Sequence, residues 1–353
     1  DNGIWTRSAK QKAEFFADHL EETFKPNQID GADVEQTEEI NESMEIKAVS
    51  PDELLKEIKN LKSNKAPGFD LITADILKQL PRKAVILLTY LINAAFRLKY
   101  VPSLWKVAEV IMIHKSRKSV NDVKSYRPIS LLPIVSKLFE KILLKRVKPI
   151  IEAKKLIPVH QFGFREKHST IDQVHRITNI IEKALEEKHI CSTVFLDVAQ
   201  AFDKVWHKGL IDKLRKIFPK QFVEILSSYI SDRSFRIKFE EEFSSLREIK
   251  AGVPQGSVLG PTLYLLYTSD IPVMKSATVA TFADDTALLV TGKDVEITAQ
   301  KLQSDLNALT DWTIEWKIKL NEMKSTHINF TNRNIPDPPS LYVSQIKISY
   351  AIK

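Results

Sequence analysis

Apolar positions recur every three or four residues at Ala13, Phe16, Leu20 and Phe24, which predicts an amphipathic helix from Ser8 to Phe24. From Asp30 to Glu45 the pattern stops. That stretch is acidic, poor in large apolar side chains, and reads as a flexible connection. Ser50, Pro51 and Glu53 then mark a helix start, as N-cap, first helical residue and partner in a capping box. The Pro and Gly of Ser63 to Gly68 stop that helix, and further helices are expected over Asp70 to Leu80 and Arg82 to Lys99. Beyond Pro102 the period shortens to that of a strand, Glu109 to His114, followed by the extended, proline-bearing stretch Ser125 to Pro133. Helices are predicted from Ser136 to Lys148, from Ser169 to about Lys188, and from Trp206 to Ile217. Phe235 to Phe239 and Leu246 to Ile249 alternate as a strand pair, and a Gly/Pro-rich loop, Ala251 to Ser257, opens a helix over Pro261 to Ile271. Leu302, Leu306, Leu309, Trp312 and Trp316 mark a last helix, and Ser325 to Phe330 a last strand. Strands interleaved with helices in this order give an α+β plan, a split βαβ sheet backed by helices.

Two acidic sites stand out against this frame. In Thr281 to Val290, apolar residues lead up to Asp284-Asp285 and away again, a β-hairpin from about Ala277 with its tight turn at the acidic pair. An isolated Asp-Asp reads as a solvated turn, because Asp tolerates turn dihedrals. Upstream, however, Cys191 to Leu196 is a buried-looking strand that also ends in a carboxylate, Asp197. A strand end and a neighbouring hairpin tip can bring Asp197 to Asp284, and converging carboxylates without a local base are costly unless divalent cations neutralise them.

Charge and composition narrow the chemistry. The single Cys191 excludes intrachain disulfides and Cys-rich zinc sites and fits a reducing compartment, and the eight His show no metal-ligand spacing. No apolar run approaches the roughly 18 to 20 residues of a membrane span, so no membrane association is expected. The net charge of +7 is modest but uneven: Arg97 to Lys155 holds 15 Lys and Arg against 4 Asp and Glu. Such a segment, broken by strand and turn signals, suits phosphates, either of a triphosphate or of a nucleic-acid backbone. Carboxylates at strand ends, a basic segment and no nucleophile–base pair suggest two-metal chemistry, which serves polymerases and nucleases alike.

The wording of the motifs separates these. Phe195-Leu196-Asp197-Val198-Ala199-Gln200-Ala201-Phe202-Asp203-Lys204-Val205-Trp206, Gly252-Val253-Pro254-Gln255-Gly256-Ser257 and Phe282-Ala283-Asp284-Asp285 resemble motifs A, B and C of reverse transcriptases. The version is that of non-LTR (LINE-type) retrotransposons, with the jockey-like clade the nearest. Asn64 to Asp70, Tyr126 to Leu132 and Gln161-Phe162-Gly163-Phe164-Arg165 agree with it, and the six motifs run in order from Ser50 to Phe330.

The resemblance implies a right-hand polymerase with fingers and palm, the palm an antiparallel split βαβ sheet. It implies an N-terminal helix and acidic linker over 1–49, fingers with the start of the palm over 50–190, the palm with motifs A to D over 191–335, and a lead into a primer grip and thumb over 336–353. Two Mg²⁺ ions, with Mn²⁺ a substitute, would be bound by Asp197 and Asp284 with the carbonyl of Val198, Asp285 lying beside them. Phe202 is placed like the steric gate that crowds a ribose 2′-OH. Gln255 and Gly256 resemble the loop against the incoming nucleotide and template, where Gly lets the backbone approach closely. Arg127 resembles the arginine that clamps the triphosphate, with Lys115 or Lys118 assisting. Lys324 matches the motif D lysine proposed to protonate pyrophosphate.

The implied function is RNA-directed DNA polymerisation, joining dNTPs to a primer 3′-OH on an RNA template, primed at a nicked DNA target. The implied address is the nucleus, with a cytoplasmic ribonucleoprotein stage. The chain opens at Asp1 and closes at Lys353 ahead of a Tyr-Leu-Gly primer grip, so a segment of a longer element protein is expected. A catalytically inert RNA- or DNA-binding remnant is the alternative, and an RNA-templated RNA polymerase fits Phe202 and Ala283 less well. Oligomeric state is not legible.

Overall fold

The computed structural model describes residues 8–29, 40 and 42–351. Most of the connection expected over Asp30 to Glu45 therefore lies outside the described residues. Helix α1 (Ala9–Thr23) starts where Ser8 accepts a hydrogen bond from the Gln11 N–H and Gln11 reaches back to the Ser8 N–H, so two orphan donors are satisfied at once. Helix α2 (Pro51–Lys59) starts at the expected Ser50 cap, but the capping box is half made. Ser50 accepts from the Glu53 N–H at 3.1 Å, while the Glu53 carboxylate is taken by the Arg146 guanidinium. A bidentate charged partner outcompetes one backbone amide.

The helix expected over Asp70 to Leu80 is only α3 (Ala74–Lys78). Leu71 sits at φ +56°, Asp70 folds back to the Ile72 N–H, and Thr73 caps the helix, so turn chemistry consumes the first residues. Helix α4 (Arg82–Leu98) ends on Lys99 in the left-handed region. Strands β1 (Val107–His114) and β2 (Tyr126–Leu131) follow, then α5 (Ile134–Ala153), longer than the predicted Ser136 to Lys148 and containing Pro149. Next come α6 (Thr170–Glu186), capped by Ser169, β3 (Ile190–Leu196) and α7 (His207–Ile217).

Helix α8 (Lys220–Ile230) was not foreseen, although Pro219 precedes it and Phe222, Val223, Leu226, Tyr229 and Ile230 form its buried stripe. Then come β4 (Arg233–Phe239), β5 (Glu242–Phe243), β6 (Arg247–Ile249) and α9 (Gly260–Tyr267). The hairpin strands are β7 (Thr278–Phe282) and β8 (Asp285–Gly292), and α10 (Val295–Glu315) starts at Asp294, two turns ahead of the predicted Leu302. Strands β9 (Thr326–Phe330), β10 (Tyr342–Val343), β11 (Ile346–Lys347) and β12 (Ser349–Tyr350) complete the order.

The chain divides into two compact units that interleave along the sequence. The first takes Asp1–Pro26, Glu35–Lys154 and Phe202–Tyr264, the second Asn27–Val34, Lys155–Ala201 and Leu265–Lys353.

The first unit carries a mixed sheet in the order β2-β1-β4-β5, with β6 also on β4. β1 runs antiparallel to β2 and parallel to β4, because the chain between β1 and β4 crosses back through helices rather than a tight turn. Phe16 and Leu20 of α1, with Phe24 just beyond its end, pack on Ala108, Val110, Phe235 and Ile237 of this sheet.

The second unit carries the order β12-β9-β3-β8-β7, antiparallel throughout except that β12 joins β9 in parallel. Its strand β8 alternates strictly. Leu288 and Val290 face Leu302, Leu306 and Leu309 of α10, whereas Ala287 and Leu289 face Ile177, Ile180 and Ile181 of α6. Both faces of the central strands are thus buried, each large aliphatic side chain contributing about 2 kcal/mol by leaving water. Helix-backed on both sides, β3 and β8 carry the acidic positions at one end. Among the described residues no helix is long and apolar enough to cross a membrane.

Candidate active site

In the second unit, β3 and β8 pair antiparallel with Leu196 opposite Thr286. One step further on, that register sets Asp197 opposite Asp285. The β7–β8 pairing closes on Phe282 and Asp285, leaving Ala283 and Asp284 as the two turn residues. The acidic pair therefore straddles the end of the turn, with Asp285 already in the strand. Ala283 holds φ +58° whereas Asp284 does not have positive φ. Positive φ at the first turn position alone is the demand usually met by Gly, so Ala there costs about 1–2 kcal/mol.

That strained turn is braced from within the unit. Gln161 accepts from the Ala283 N–H at 2.9 Å and donates to the Ala283 carbonyl at 3.0 Å. Gly163 lies directly against the same residue: a Cβ on it would sit 2.2 Å from the Ala283 nitrogen. The contact of the Gln-Phe-Gly stretch with the hairpin is long-range, and nothing in a sequence displays that.

Asp197 is held at both ends of its backbone. Its N–H donates to Ser325 Oγ at 3.3 Å and its carbonyl accepts from the Asn321 N–H at 2.8 Å. The Ala199 N–H donates to the Lys319 carbonyl, so the isolated bridge between Val198 and Leu320 leaves the Val198 carbonyl outside its bonds. Lys324 Nζ stands 3.3 Å from Asp197 Oδ2. The structure thus brings Asp197, Asp284, Asp285 and Lys324 to one end of one sheet.

Electrostatically the cluster is overcharged. The Asp284 carboxyl is raised above the ordinary carboxylate range, first by loss of solvent and then by the charges of Asp285 and Asp197. Asp285 is raised too, by the chain crowding around it and then by Asp197. Hard oxygen donors with surplus negative charge suit a divalent cation, so the donor set fits the implied metal. Among the described residues no three His, Cys, Asp or Glu side chains are yet drawn into a finished ligand group. The strand ends are adjacent, and the Lys324 ammonium is the cation paired with Asp197 there.

The first unit holds the other predicted residues. Gln255 donates to Asp203 Oδ1 at 2.9 Å, and its carbonyl accepts from the Ser130 N–H of β2 at 2.8 Å. Gly256 sits at φ +111° with room for no Cβ, which would meet the Ser130 carbonyl oxygen at 2.7 Å. Both residues therefore lie along β2, the strand that carries Arg127. Arg127 is exposed, and among the described residues its guanidinium makes no hydrogen bond or ion pair. Lys115 instead donates to the Lys124 carbonyl at 2.8 Å, closing the loop between β1 and β2. Lys118 is exposed at that loop. Phe202 stacks on Tyr264 at 4.5 Å between ring centroids, and its carbonyl accepts from the Val253 N–H.

Asp203 lies within the motif that follows Asp197, and nothing local in the sequence marks its burial. It is buried, and loss of solvent pushes its carboxyl up to about 7 against the opposing pull of the Gln255 hydrogen bond. Glu140 was also missed. Fully buried in α5, it accepts from the Val258 and Leu259 N–H groups and so anchors the loop that opens α9.

Comparison with known proteins follows the same line. Residues 113–347, about two thirds of the chain, match the profile of the family described as reverse transcriptase (RNA-dependent DNA polymerase). The chain is 40% identical over 349 residues to the probable RNA-directed DNA polymerase from transposon BS of Drosophila melanogaster, covering 94% of this chain and 38% of that protein. It is 38% identical to the probable RNA-directed DNA polymerase from transposon X-element, over 98% of this chain and 39% of that one. It is 39% identical to the RNA-directed DNA polymerase from mobile element jockey, over 94% and 38%. Both of these relatives are also from Drosophila melanogaster. The chain thus spans less than two fifths of the length of the curated relatives it matches. Among solved structures, apo telomerase from Candida tropicalis, truncated from the C-terminal domain, aligns at a TM-score of 0.46 and 13% identity, over 70% of this chain and 54% of that one, too distant a likeness to say more. With the family profile spanning the acidic hairpin and the jockey likeness running the length of the chain, this protein belongs to the reverse transcriptase family.

Proposed function

We propose that this chain is the RNA-directed DNA polymerase module of a jockey-like non-LTR retrotransposon, adding dNTPs to a primer 3′-OH on an RNA template. The observation that carries the reading is the set Asp197, Asp284 and Asp285 brought together at adjoining strand ends, with the carboxyls of Asp284 and Asp285 raised first by loss of solvent and then by their acidic neighbours. Two Mg²⁺ ions, or Mn²⁺ in their place, would lower the pKa of the attacking hydroxyl and stabilise the departing phosphate.

The residues of the chain divide the remaining work. Asp197 and Asp284, with the Val198 carbonyl and Asp285 beside them, would hold the ions. Arg127 offers a planar fork to the triphosphate, with Lys115 or Lys118 adding charge. Phe202 excludes the 2′-OH of a ribonucleotide, Gln255 and Gly256 line the nucleotide, and Lys324 gives a proton to leaving pyrophosphate. The 3′-oxygen bonds to the α-phosphorus as the bond to pyrophosphate breaks. The 191–335 segment serves as palm and 50–190 as fingers. Priming at a nicked DNA target, and a nuclear address after a cytoplasmic ribonucleoprotein stage, complete the reading.

Primer extension on an RNA template with dNTPs and Mg²⁺ tests it, comparing wild type with Asp284→Asn. Extension that disappears in the variant is the expected result. RNA binding without extension by wild type would favour an inert nucleic-acid-binding remnant, for which the surplus of positive charge over Arg97 to Lys155 is sufficient on its own.

A further inference from the structure

Gln161 is only 5% exposed, so its carboxamide is not available to a substrate; all of its hydrogen bonds face the protein. The oxygen accepts from two N–H groups, those of Ala283 at 2.9 Å and Gly163 at 2.8 Å, and the nitrogen donates to the Ala283 carbonyl at 3.0 Å. Both peptide groups of one turn residue are thereby gripped by a single side chain. Ala283 immediately precedes Asp284 and holds the positive φ of the turn.

The backbone around Gln161 already fastens this loop to β7 without the side chain. The Phe162 N–H donates to the Thr281 carbonyl, and the Thr281 N–H donates to the His160 carbonyl, each at 3.0 Å. Gln173 adds donors to the carbonyls of His160 and Thr281. The Gln161 carboxamide reaches past that fastening by two residues, onto the turn itself. A side chain serving only to dock the loop would have no need to do so.

We propose that Gln161 is a positioning residue for Asp284: its carboxamide locks both peptide groups of Ala283 and so fixes the direction in which the acidic turn presents its carboxylate to a divalent cation. The chemistry served rests on the polymerase reading above; the clamp itself rests on the geometry. Gly163 is part of the same device, since any side chain there would displace Ala283.

The test compares wild type, Gln161→Met and Gln161→Glu. Met keeps the volume and removes every hydrogen bond. Glu keeps the acceptor and sets an oxygen against the Ala283 carbonyl, and it reports in case the Met variant fails to fold. Three quantities are read: Mn²⁺ affinity by electron paramagnetic resonance, exchange of the Ala283 amide by NMR, and the thermal midpoint. The expected result is an Mn²⁺ affinity about 10-fold to 100-fold weaker in Gln161→Met, the range for residues that orient a metal ligand. Faster Ala283 exchange and a nearly unchanged midpoint should accompany it, with Gln161→Glu intermediate. Unchanged Mn²⁺ affinity and unchanged Ala283 protection in the folded variants would overturn the proposal. A wild type that binds Mn²⁺ yet extends no primer would sink the polymerase reading alone, and one that takes up no Mn²⁺ would overturn both.

Discussion

Lys324 and Asp197 form an ion pair at 3.3 Å in which the lysine side chain is 66% exposed and the aspartate 37%. The pair links the turn after α10 to the end of β3. It also sets an ammonium where a metal would compete for the same carboxylate. Exposed pairs contribute roughly 0–1 kcal/mol, so the contact matters for charge at the site more than for stability.

Lys324→Ala should accordingly shift the thermal midpoint by no more than a few degrees. Mn²⁺ should bind severalfold more tightly, because a competing cation has gone. If Lys324 supplies the proton to pyrophosphate, the extension rate should fall even as metal affinity rises. Weaker Mn²⁺ binding in Lys324→Ala would contradict the competition.

The raised carboxyls of Asp284 and Asp285 make a pH prediction with a definite sign. A carboxyl whose pKa is higher folded than unfolded favours folding while protonated. That contribution is complete below the unfolded pKa and disappears as pH rises through the folded one. In metal-free buffer at neutral pH, Asp284→Asn should therefore melt at a higher temperature than wild type, the gap closing as pH falls through the carboxylate range. Adding Mg²⁺ should raise the midpoint of wild type and leave the variant nearly unmoved.

Asp203 behaves in the same sense at higher pH, its carboxyl rising from 3.8 to about 7 in its buried site. The stability it confers when protonated should be lost between about pH 4 and pH 7, a change on the order of a few kcal/mol. Urea unfolding across that range should show the loss in wild type and flatten in Asp203→Asn. Gln255→Met, which removes the hydrogen bond favouring the charged form, should move the transition upward in pH. A pH profile shared by wild type and Asp203→Asn would dismiss this group as the source.

Phe202→Val should open the ring position over Tyr264. Under the polymerase reading, the preference of kcat/KM for deoxynucleotides over ribonucleotides should drop by at least about 10-fold, with a stability cost of about 1–3 kcal/mol from the lost stacking and packing. Discrimination that stays intact would remove Phe202 from the gate.

Much of the candidate site was legible because its signals are local. A run of β-branched and aromatic residues ending in Asp197 is a strand wherever it sits, and Ala-Asp-Asp between apolar arms is a hairpin. Register then does the rest, since period-two alternation in β8 leaves one way to bury Leu288 and Val290 together against α10. What escaped was tertiary. Gln161 touches Ala283 across 122 residues, and Glu140 touches Val258 across 118. Neither partner is implied by anything near the other in the chain. Boundaries slipped where side chains had better offers: Glu53 left its cap for Arg146, and Asp70 folded back on the Ile72 N–H instead of entering a helix. Helix α8 follows Pro219 directly, and its apolar stripe of Phe222, Val223, Leu226, Tyr229 and Ile230 is the signal that marks it.

The interleaving of the two units sets the order in which the molecule can be made. Strand β3 finds one neighbour through Cys191 with Thr291 and the other through Cys191 with Phe330, while all of Phe202–Tyr264 belongs to the first unit. During synthesis, β3 must leave the ribosome as a bare apolar strand and wait with both edges open until its partners emerge. Such long loop closures slow folding and expose the waiting segment to intermolecular pairing. A chain cut before Thr326 would leave one edge of β3 permanently uncovered, and it is expected to precipitate rather than fold in part.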